Sequence, residues 1–481
     1  MRKEKNAEVI PLSENTSQGR SSRELIMLNE PISRVIPKMA IPTIVAFLIT
    51  SIYNLADTYF VSSLGTNATA AVSVNGSLDQ IIMMAGSMLA TGANSYIARL
   101  LGSGEKEKAS RVLSTAFFLA AAFGLVILAA GTAFINPMVR LLGATDSCQT
   151  YSVQYATYVL LVAPFMAASF VMNQCLRAEG SAMFSMIGMG FGGVLNCFLD
   201  PIFIFGLDLG VTGASIATAL SKLVSFGILI FPYLMKHSIL RISFSRFHPT
   251  KEILYQIVSV GSASMFRTAL GVISGIALNN IAGSISDSVL AGIGVSTKIM
   301  MFPFSFILGF GAGFQPVAGF NWGAKRFDRV KECYRFSART ALIGAVIAGL
   351  ALGIFAPQVI QLFTESDPDM MRIGALCIRL QCLALPIHAW GAVVNMFCAG
   401  LGYVRGAMLI ATSRQGSCFF PVLFPLAYFF GGTGVAAVQA AADALSILII
   451  VPILRKVMKM VHTEEEKYLR ESSAEERTEI S

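Results

Sequence analysis

Charged residues stand where the chain is otherwise apolar, and their spacing suggests ion chemistry. The acids are Asp57, Asp79, Asp200 and Asp443; the bases are Lys222, Arg267, Lys298, Arg379 and Arg414, with His388 as a further titratable group. Placing an Asp, Lys or Arg in the middle of a membrane helix costs roughly 2.5–3.5 kcal/mol, so each needs a reason. Asn196 and Asp200, four residues apart, share one face of a helix, as do Asn54 and Asp57, three apart. Pro201 lacks an N–H, and its ring opposes the carbonyl of Cys197; Pro42 does the same to Lys38 and predicts a bend. Freed carbonyls beside carboxylates suit a hard cation or a proton-linked water site. Two carboxylates in one cavity do not both ionise cheaply, so the pair either carries a proton or surrounds a sodium ion with amide and hydroxyl oxygens. The plainer alternative is that the acids hold helices together, paired with Lys222. Asp79 fits that alternative better, as a group near a polar cavity.

The elements that position these residues are membrane helices. The 481 residues are 54% hydrophobic and 13% charged, with mean hydropathy +0.66. A soluble chain carries about 25% charged residues. Spans of roughly 20 apolar residues cross the hydrocarbon. Twelve are predicted, at 39–62, 70–93, 112–135, 153–175, 183–206, 212–235, 257–282, 289–314, 337–356, 375–399, 407–430 and 434–455. Their length and lack of alternation indicate helices rather than a barrel. The chain also repeats itself. Ala70-Ala71-Val72-Ser73 aligns with Ala291-Gly292-Ile293-Gly294, and Leu101-Gly102-Ser103-Gly104 with Trp322-Gly323-Ala324-Lys325, at a shift of 221. Arg177-Ala178-Glu179-Gly180, preceded by Pro164, aligns with Ala399-Gly400-Leu401-Gly402, preceded by Pro386, at a shift of 222. The expected fold is an all-α membrane protein with twelve transmembrane helices in two pseudo-symmetric six-helix bundles. Its parts are a tail over 1–38, bundles over 39–235 and 257–455, a linker over 236–256 and a tail over 456–481. Repeats of this kind suggest alternating access with substrate held between the halves.

Charge distribution sets the expected orientation. Outside the spans, every Lys and Arg except Arg140 and Arg372 falls in the two tails or in the connections after even-numbered spans. The positive-inside rule then puts both termini in the cytoplasm of a plasma-membrane protein. It also accounts for the net charge of +8 without nucleic acid. The opening residues are polar and charged, so no cleavable signal is expected. The eight cysteines form no Cys-x-x-Cys pair and read as small buried hydrophobes.

Several stretches resemble the MATE (multidrug and toxic compound extrusion) family. Tyr53-Asn54-Leu55-Ala56-Asp57-Thr58, with Pro42 upstream, resembles its first helix. Asn196-Cys197-Phe198-Leu199-Asp200-Pro201 resembles the fifth, and Gly213-Ala214-Ser215-Ile216-Ala217-Thr218 the start of the sixth. The run from Phe306 to Pro316 and on through Gly319-Phe320-Asn321-Trp322-Gly323-Ala324-Lys325-Arg326 resembles the branch found in Gram-positive bacteria, as do Arg267 and Asp443. The resemblance covers residues 35 to 457. It implies a secondary antiporter that exports bulky organic cations as a monomer, with H⁺ or Na⁺ as coupling ion and no cofactor. It implies a cation or proton site at Asp57, Asn196, Asp200 and Thr218, joined by Tyr155 and Asn173, with Asp57, Asn196, Asp200 and Thr218 as ligands if the ion is sodium. One departure stands out: the seventh helix carries Arg267, Asn279 and Asn280 where some members have a glutamate, which places coupling in the first half.

An apolar substrate cavity is expected from the 22 Met and 34 Phe, with Asp443, Arg267, Gln315 and Asn279 as polar candidates. Asp443 either attracts a cation or neutralises Arg414 or Arg267. The glycine runs at 188–193 and 309–313 lack the Lys-Ser/Thr of a phosphate loop and read as packing surfaces. The bases of the second half keep open a rival reading, a flippase for a lipid-linked glycan. A membrane enzyme would need a metal motif or a His–Asp pair, and His388 stands without one.

Overall fold

A computed structural model describes residues 21–361 and 367–479; the first twenty residues of the expected tail lie outside the described residues. The described chain is helical throughout, without a strand. In hydrocarbon every backbone N–H and C=O needs an internal partner, and a helix supplies them all. Spans one to six are Ile32–Ser62, Thr66–Ser103, Lys106–Ala133, Gln149–Ala178, Ala182–Pro201 with a π-helical turn Ile202–Gly206, and Gly210–Leu234. Spans seven to ten are Lys251–Ile285, Asp287–Gly323, Phe327–Ile354 and Pro368–Leu401. The eleventh begins at Val404–Thr412 and passes through a second π-helical turn, Ser413–Ser417. A helix from Phe419 to Glu479 holds the rest of it and the twelfth, broken at Gly431 with φ 54° and ψ −133°.

Several helices outrun the apolar windows that predict them. The second reaches Ser103 and the eighth Gly323, because their last turns pack on protein and need no lipid-compatible surface. Short helices at Ile135–Leu141 and Ala356–Gln361 follow the third and ninth spans and have no counterpart in the predicted set. An eight-residue helix, Ser22–Asn29, precedes the first span. Its capping box is legible in the sequence: Glu24 N donates to Ser21 Oγ at 3.4 Å, and Ser21 N donates to Glu24 Oε2 at 2.6 Å. This helix touches both halves. Lys106 pairs with Glu24 at 2.8 Å, while Arg329 donates to the carbonyls of Met27 and Glu30 at 3.1 and 2.8 Å.

The repeat extends to individual turns and hydrogen bonds. Left-handed backbone recurs at Gly104 (φ 88°) and Lys325 (φ 58°), at Gly180 (φ 80°) and Gly402 (φ 77°), and at Gly210 (φ 53°) and Gly431 (φ 54°). The members of each pair are counterparts under the shift that aligns the two halves of the sequence. Lys325 keeps the turn at the steric cost a glycine avoids. Asn75 Nδ2 donates to Ser152 O at 3.0 Å, and Ser296 Oγ to Gly374 O at 3.0 Å. Asn173 Nδ2 donates to Ser185 O at 3.0 Å, and Asn395 Nδ2 to Ala407 O at 2.6 Å. In both cases the donor and acceptor of the second bond are the repeat counterparts of those in the first.

The halves meet where the first span packs on the eighth and the second packs on the seventh and eighth. Contact is backbone to backbone. A Cβ on Gly92 would collide with the carbonyl of Ile257, and one on Gly313 with Ala40 Cα at 2.5 Å. At the ends of the second and eighth spans, a Cβ on Gly102 would collide with Phe320 O and one on Gly323 with Arg99 O. Gly102 and Gly323, like Arg99 and Phe320, are repeat counterparts, so this contact is two-fold. On this face, at the ends of the second and eighth spans, the halves are therefore in direct contact. Overpacking such a contact costs about 1–3 kcal/mol. Gly323→Val should therefore part the two helices, and amide hydrogen exchange across 95–104 and 319–326 should rise. Unchanged exchange there would show that the contact does not hold the halves together.

The segment joining the halves is held by Glu179, just past the fourth span and 1% exposed. Its carboxylate accepts from Tyr233 OH at 3.2 Å, Ile239 N at 3.0 Å and the Ser238 hydroxyl. Glu179→Ala orphans these donors, at on the order of 2 kcal/mol. Limited proteolysis should then cut first between 236 and 250.

Candidate functional site

The fifth span brings Asn196 and Asp200 onto one face, as their spacing predicts. Asn196 Nδ2 donates to Asp200 Oδ1 at 3.2 Å and to Thr218 Oγ1 on the sixth span at 3.4 Å. Tyr155 on the fourth span is buried beside Thr218. Asp57 on the first span lies within electrostatic reach of Asp200, and Asp79 on the second within reach of Asp57. After Asp200 the helix changes form. Pro201 interrupts the regular ladder, and the π-helical turn restores pairing through Leu207 N to Ile202 O at 2.9 Å.

Acceptors outnumber donors in this cluster. Asp200 is fully buried, yet its Oδ2 has no hydrogen-bond partner; neither has Asn196 Oδ1, Asp57 Oδ1 or Asp79 Oδ1. Lys222 is the nearby base. It donates to Tyr53 OH at 3.1 Å, lies over that ring at 5.2 Å and is within electrostatic reach of Asp57 and Asp79. Among the described residues it forms no ion pair within 4.0 Å with any of the three acids. Asp200 faces Asp57 and Asn196 instead. Such an oxygen set, short of positive charge, matches a proton or a hard cation.

Sequence reasoning ranks Asp79 below the other acids, and the structure brings it into the cluster. Its one sequence signal, a charge within a span, does not say which face it takes. Asn173 is a correction in the other direction. Its amide is committed to Ser185 O. It also sits eighteen residues after Tyr155 on the same helix, about 27 Å away at 1.5 Å per residue. Asn395 repeats its bond in the other half, so Asn173 belongs to the scaffold. Pro42 lies within the continuous helix Ile32–Ser62, together with Pro37.

The second half holds a half-open cavity of about 290 Å³, lined by Arg267, Arg414, Asp443, His388, neutral polar groups and apolar side chains. Gln315 is buried outside it, its backbone carbonyl against Gly400, and Asn279 is exposed. Asp443 pairs with Arg414, from Nε at 2.7 Å and a second nitrogen at 3.4 Å. Of the two roles expected for Asp443, the geometry gives neutralisation of Arg414.

Asn173→Ala and Asn395→Ala should each lower thermal stability by about 1–3 kcal/mol and leave its dependence on Na⁺ and pH intact. Asn196→Ala should flatten that dependence. An ion response lost with Asn173 and kept without Asn196 would reverse the two assignments.

A chain of a dozen membrane helices in repeated halves, each enclosing buried charge, defines a polytopic membrane transporter. The MatE family profile matches it twice, over residues 42–202 and 263–424, and the two starts differ by the internal shift of 221. The chain belongs to the MatE family and is a transporter rather than an enzyme. It is 29% identical over 430 residues to the "Multidrug export protein MepA" of Staphylococcus aureus (strain MSSA476), covering 88% of this chain and 94% of that one. The MepA of Staphylococcus saprophyticus is 28% identical over 420 residues, 86% of this chain and 92% of the other. Among solved structures, an outward-facing multidrug resistance MATE transporter of the MOP superfamily superposes with TM-score 0.87 at 25% identity, over 92% of this chain and all of that one. A MATE described as in the bent conformation gives TM-score 0.86 at 25% identity, over 93% of this chain and all of that one.

Proposed function

We propose that this protein exports lipophilic organic cations across the plasma membrane in exchange for H⁺ or Na⁺ bound at Asp57, Asp200, Asn196 and Thr218. The observation that carries this reading is Asp200, fully buried, with one carboxylate oxygen unpartnered and no basic side chain in ion-pair contact among the described residues. A buried carboxylate left so is costly, and an ion that comes and goes each cycle relieves the cost. The names of the Staphylococcus relatives support export of several drugs. Both termini lie in the cytoplasm in this reading, and the exporter works as a monomer of two bundles, 39–235 and 257–455.

Electrical bookkeeping favours exchange. Moving one charge across 100 mV is worth about 2.3 kcal/mol. Export of a monovalent cation from a negative interior costs that much, and entry of one H⁺ or Na⁺ cancels it. The chemical gradient then drives the cycle. Ion binding must favour one shape of the first span, and Pro42, near where that helix meets the eighth span, is where a bend would alter their contact. The solved MATE described as bent supports such a change.

The test is efflux of ethidium from vesicles with the proton and sodium gradients collapsed separately. Collapse of the coupling gradient should stop efflux, and Asp57→Asn and Asp200→Asn should each reduce it at least tenfold. Undiminished efflux in both variants removes the coupling assignment. Indifference to both gradients removes antiport.

A further inference from the structure

The cavity of the second half carries more positive charge than its own acid balances. Asp443 is 3% exposed and is engaged by Arg414. Arg267, on the seventh span, has a single hydrogen bond among the described residues, to Ser264 Oγ on its own helix at 3.2 Å. Among the described residues no carboxylate lies in ion-pair contact with it; the acid that shares its cavity, Asp443, is engaged by Arg414, and the other polar groups there include His388 and the amides of Asn395 and Gln415. The π-helical turn Ser413–Ser417 puts Arg414 and Gln415 on the cavity wall, the kind of helix distortion that marks ligand sites. Arg414 is also stacked on Phe304, 4.6 Å from the ring centroid, and Phe304 meets the His388 ring at 5.0 Å. One guanidinium is thus fixed and neutralised, while the other is held ready beside an aromatic and aliphatic wall.

The other half reverses this arrangement. Asp443 is the repeat counterpart of Lys222, at the matching place of the twelfth span. In the first half a single base stands beside a cluster of three acids; here a single acid shares a cavity with two guanidinium groups. A guanidinium in a low-dielectric cavity without a counter-charge is costly, and its planar fork matches a carboxylate.

We propose that this cavity binds small amphipathic organic carboxylates, with the carboxylate on Arg267 and the apolar body against Phe304, Met396 and Ile450. The site adds an anion specificity to the transporter and does not depend on the cation-exchange reading of the first half. A cavity of about 290 Å³ suits one aromatic ring system with a short acidic arm.

The experiment uses the full chain in nanodiscs of zwitterionic lipid, with empty nanodiscs as blank. Two probes share one ring system and differ in charge: 1-naphthylacetate and 2-(1-naphthyl)ethylammonium. Calorimetry should show naphthylacetate binding, with no displacement by the ammonium. Arg267→Gln should weaken binding at least tenfold, and Arg267→Lys should keep most of it. Asp443→Asn should tighten binding several-fold, because Arg414 is then free to join; loss of a merely structural group would not improve affinity. Lys298→Gln, at an exposed base of the eighth span outside this cavity, should bind naphthylacetate as the unaltered protein does. Equal affinity in the unaltered protein and Arg267→Gln, or preference for the ammonium, overturns the proposal. If Arg267→Gln fails to fold, no gain in Asp443→Asn overturns it equally.

Discussion

The architecture depends on the direct meeting of helix backbones at the seam between the halves. Lipid tails are as apolar as leucine, so helices in a membrane gain little from burying hydrophobic side chains and associate through close packing. Gly102 on Phe320 and Gly323 on Arg99 achieve that closeness twice, by the same geometry. Around them the first, second, seventh and eighth spans form the seam, and the remaining spans pack outward from it. Side chains cross the seam too, Tyr96 OH donating to Glu252 Oε1 at 2.8 Å and Arg99 to Gln256 Oε1 at 3.1 Å, but the glycine contacts themselves can part without drawing a side chain from a pocket. That property suits a transporter.

The internal repeat operates at different depths of the structure. Turns and helix-to-carbonyl hydrogen bonds are copied almost atom for atom, as Asn173 with Ser185 and Asn395 with Ala407 show. Buried charges are not copied at all. Asp57, Asp79 and Asp200 have no acidic counterparts at the matching positions of the second half, and Arg267 and Arg414 have no basic ones at those of the first. Hydrogen bonds to main-chain carbonyls are demands of the scaffold, and both halves face the same demands. Charged groups are not demanded by the scaffold, and the two halves have diverged in which of them they carry.

Much of this was legible in the sequence, for physical reasons. Apolar windows located all twelve spans, since length and hydropathy are what the bilayer selects. The four-residue spacing of Asn196 and Asp200 fixed their shared face, and Pro201 announced the irregular turn that follows. The helix ends were less legible: the turns leading to Ser103 and Gly323 lie past their apolar windows because Leu101, Gly102, Phe320 and Asn321 are buried in protein rather than set against lipid. Asn173 misled because a polar side chain in a span signals a bond without naming its partner, and here the partner is a backbone carbonyl. Asp79 likewise gives no partner away in the sequence. Its neighbours Asp57 and Lys222 come from other helices, which no local pattern reports.

The exchange of Lys222 for Asp443 at matched positions has an electrical consequence. With an excess of carboxylates in the first half and of guanidinium groups in the second, the molecule carries an internal polarity, and its field runs from the last six helices toward the first six. A guest with separated charges lying between them would be turned with its positive end toward the first six helices.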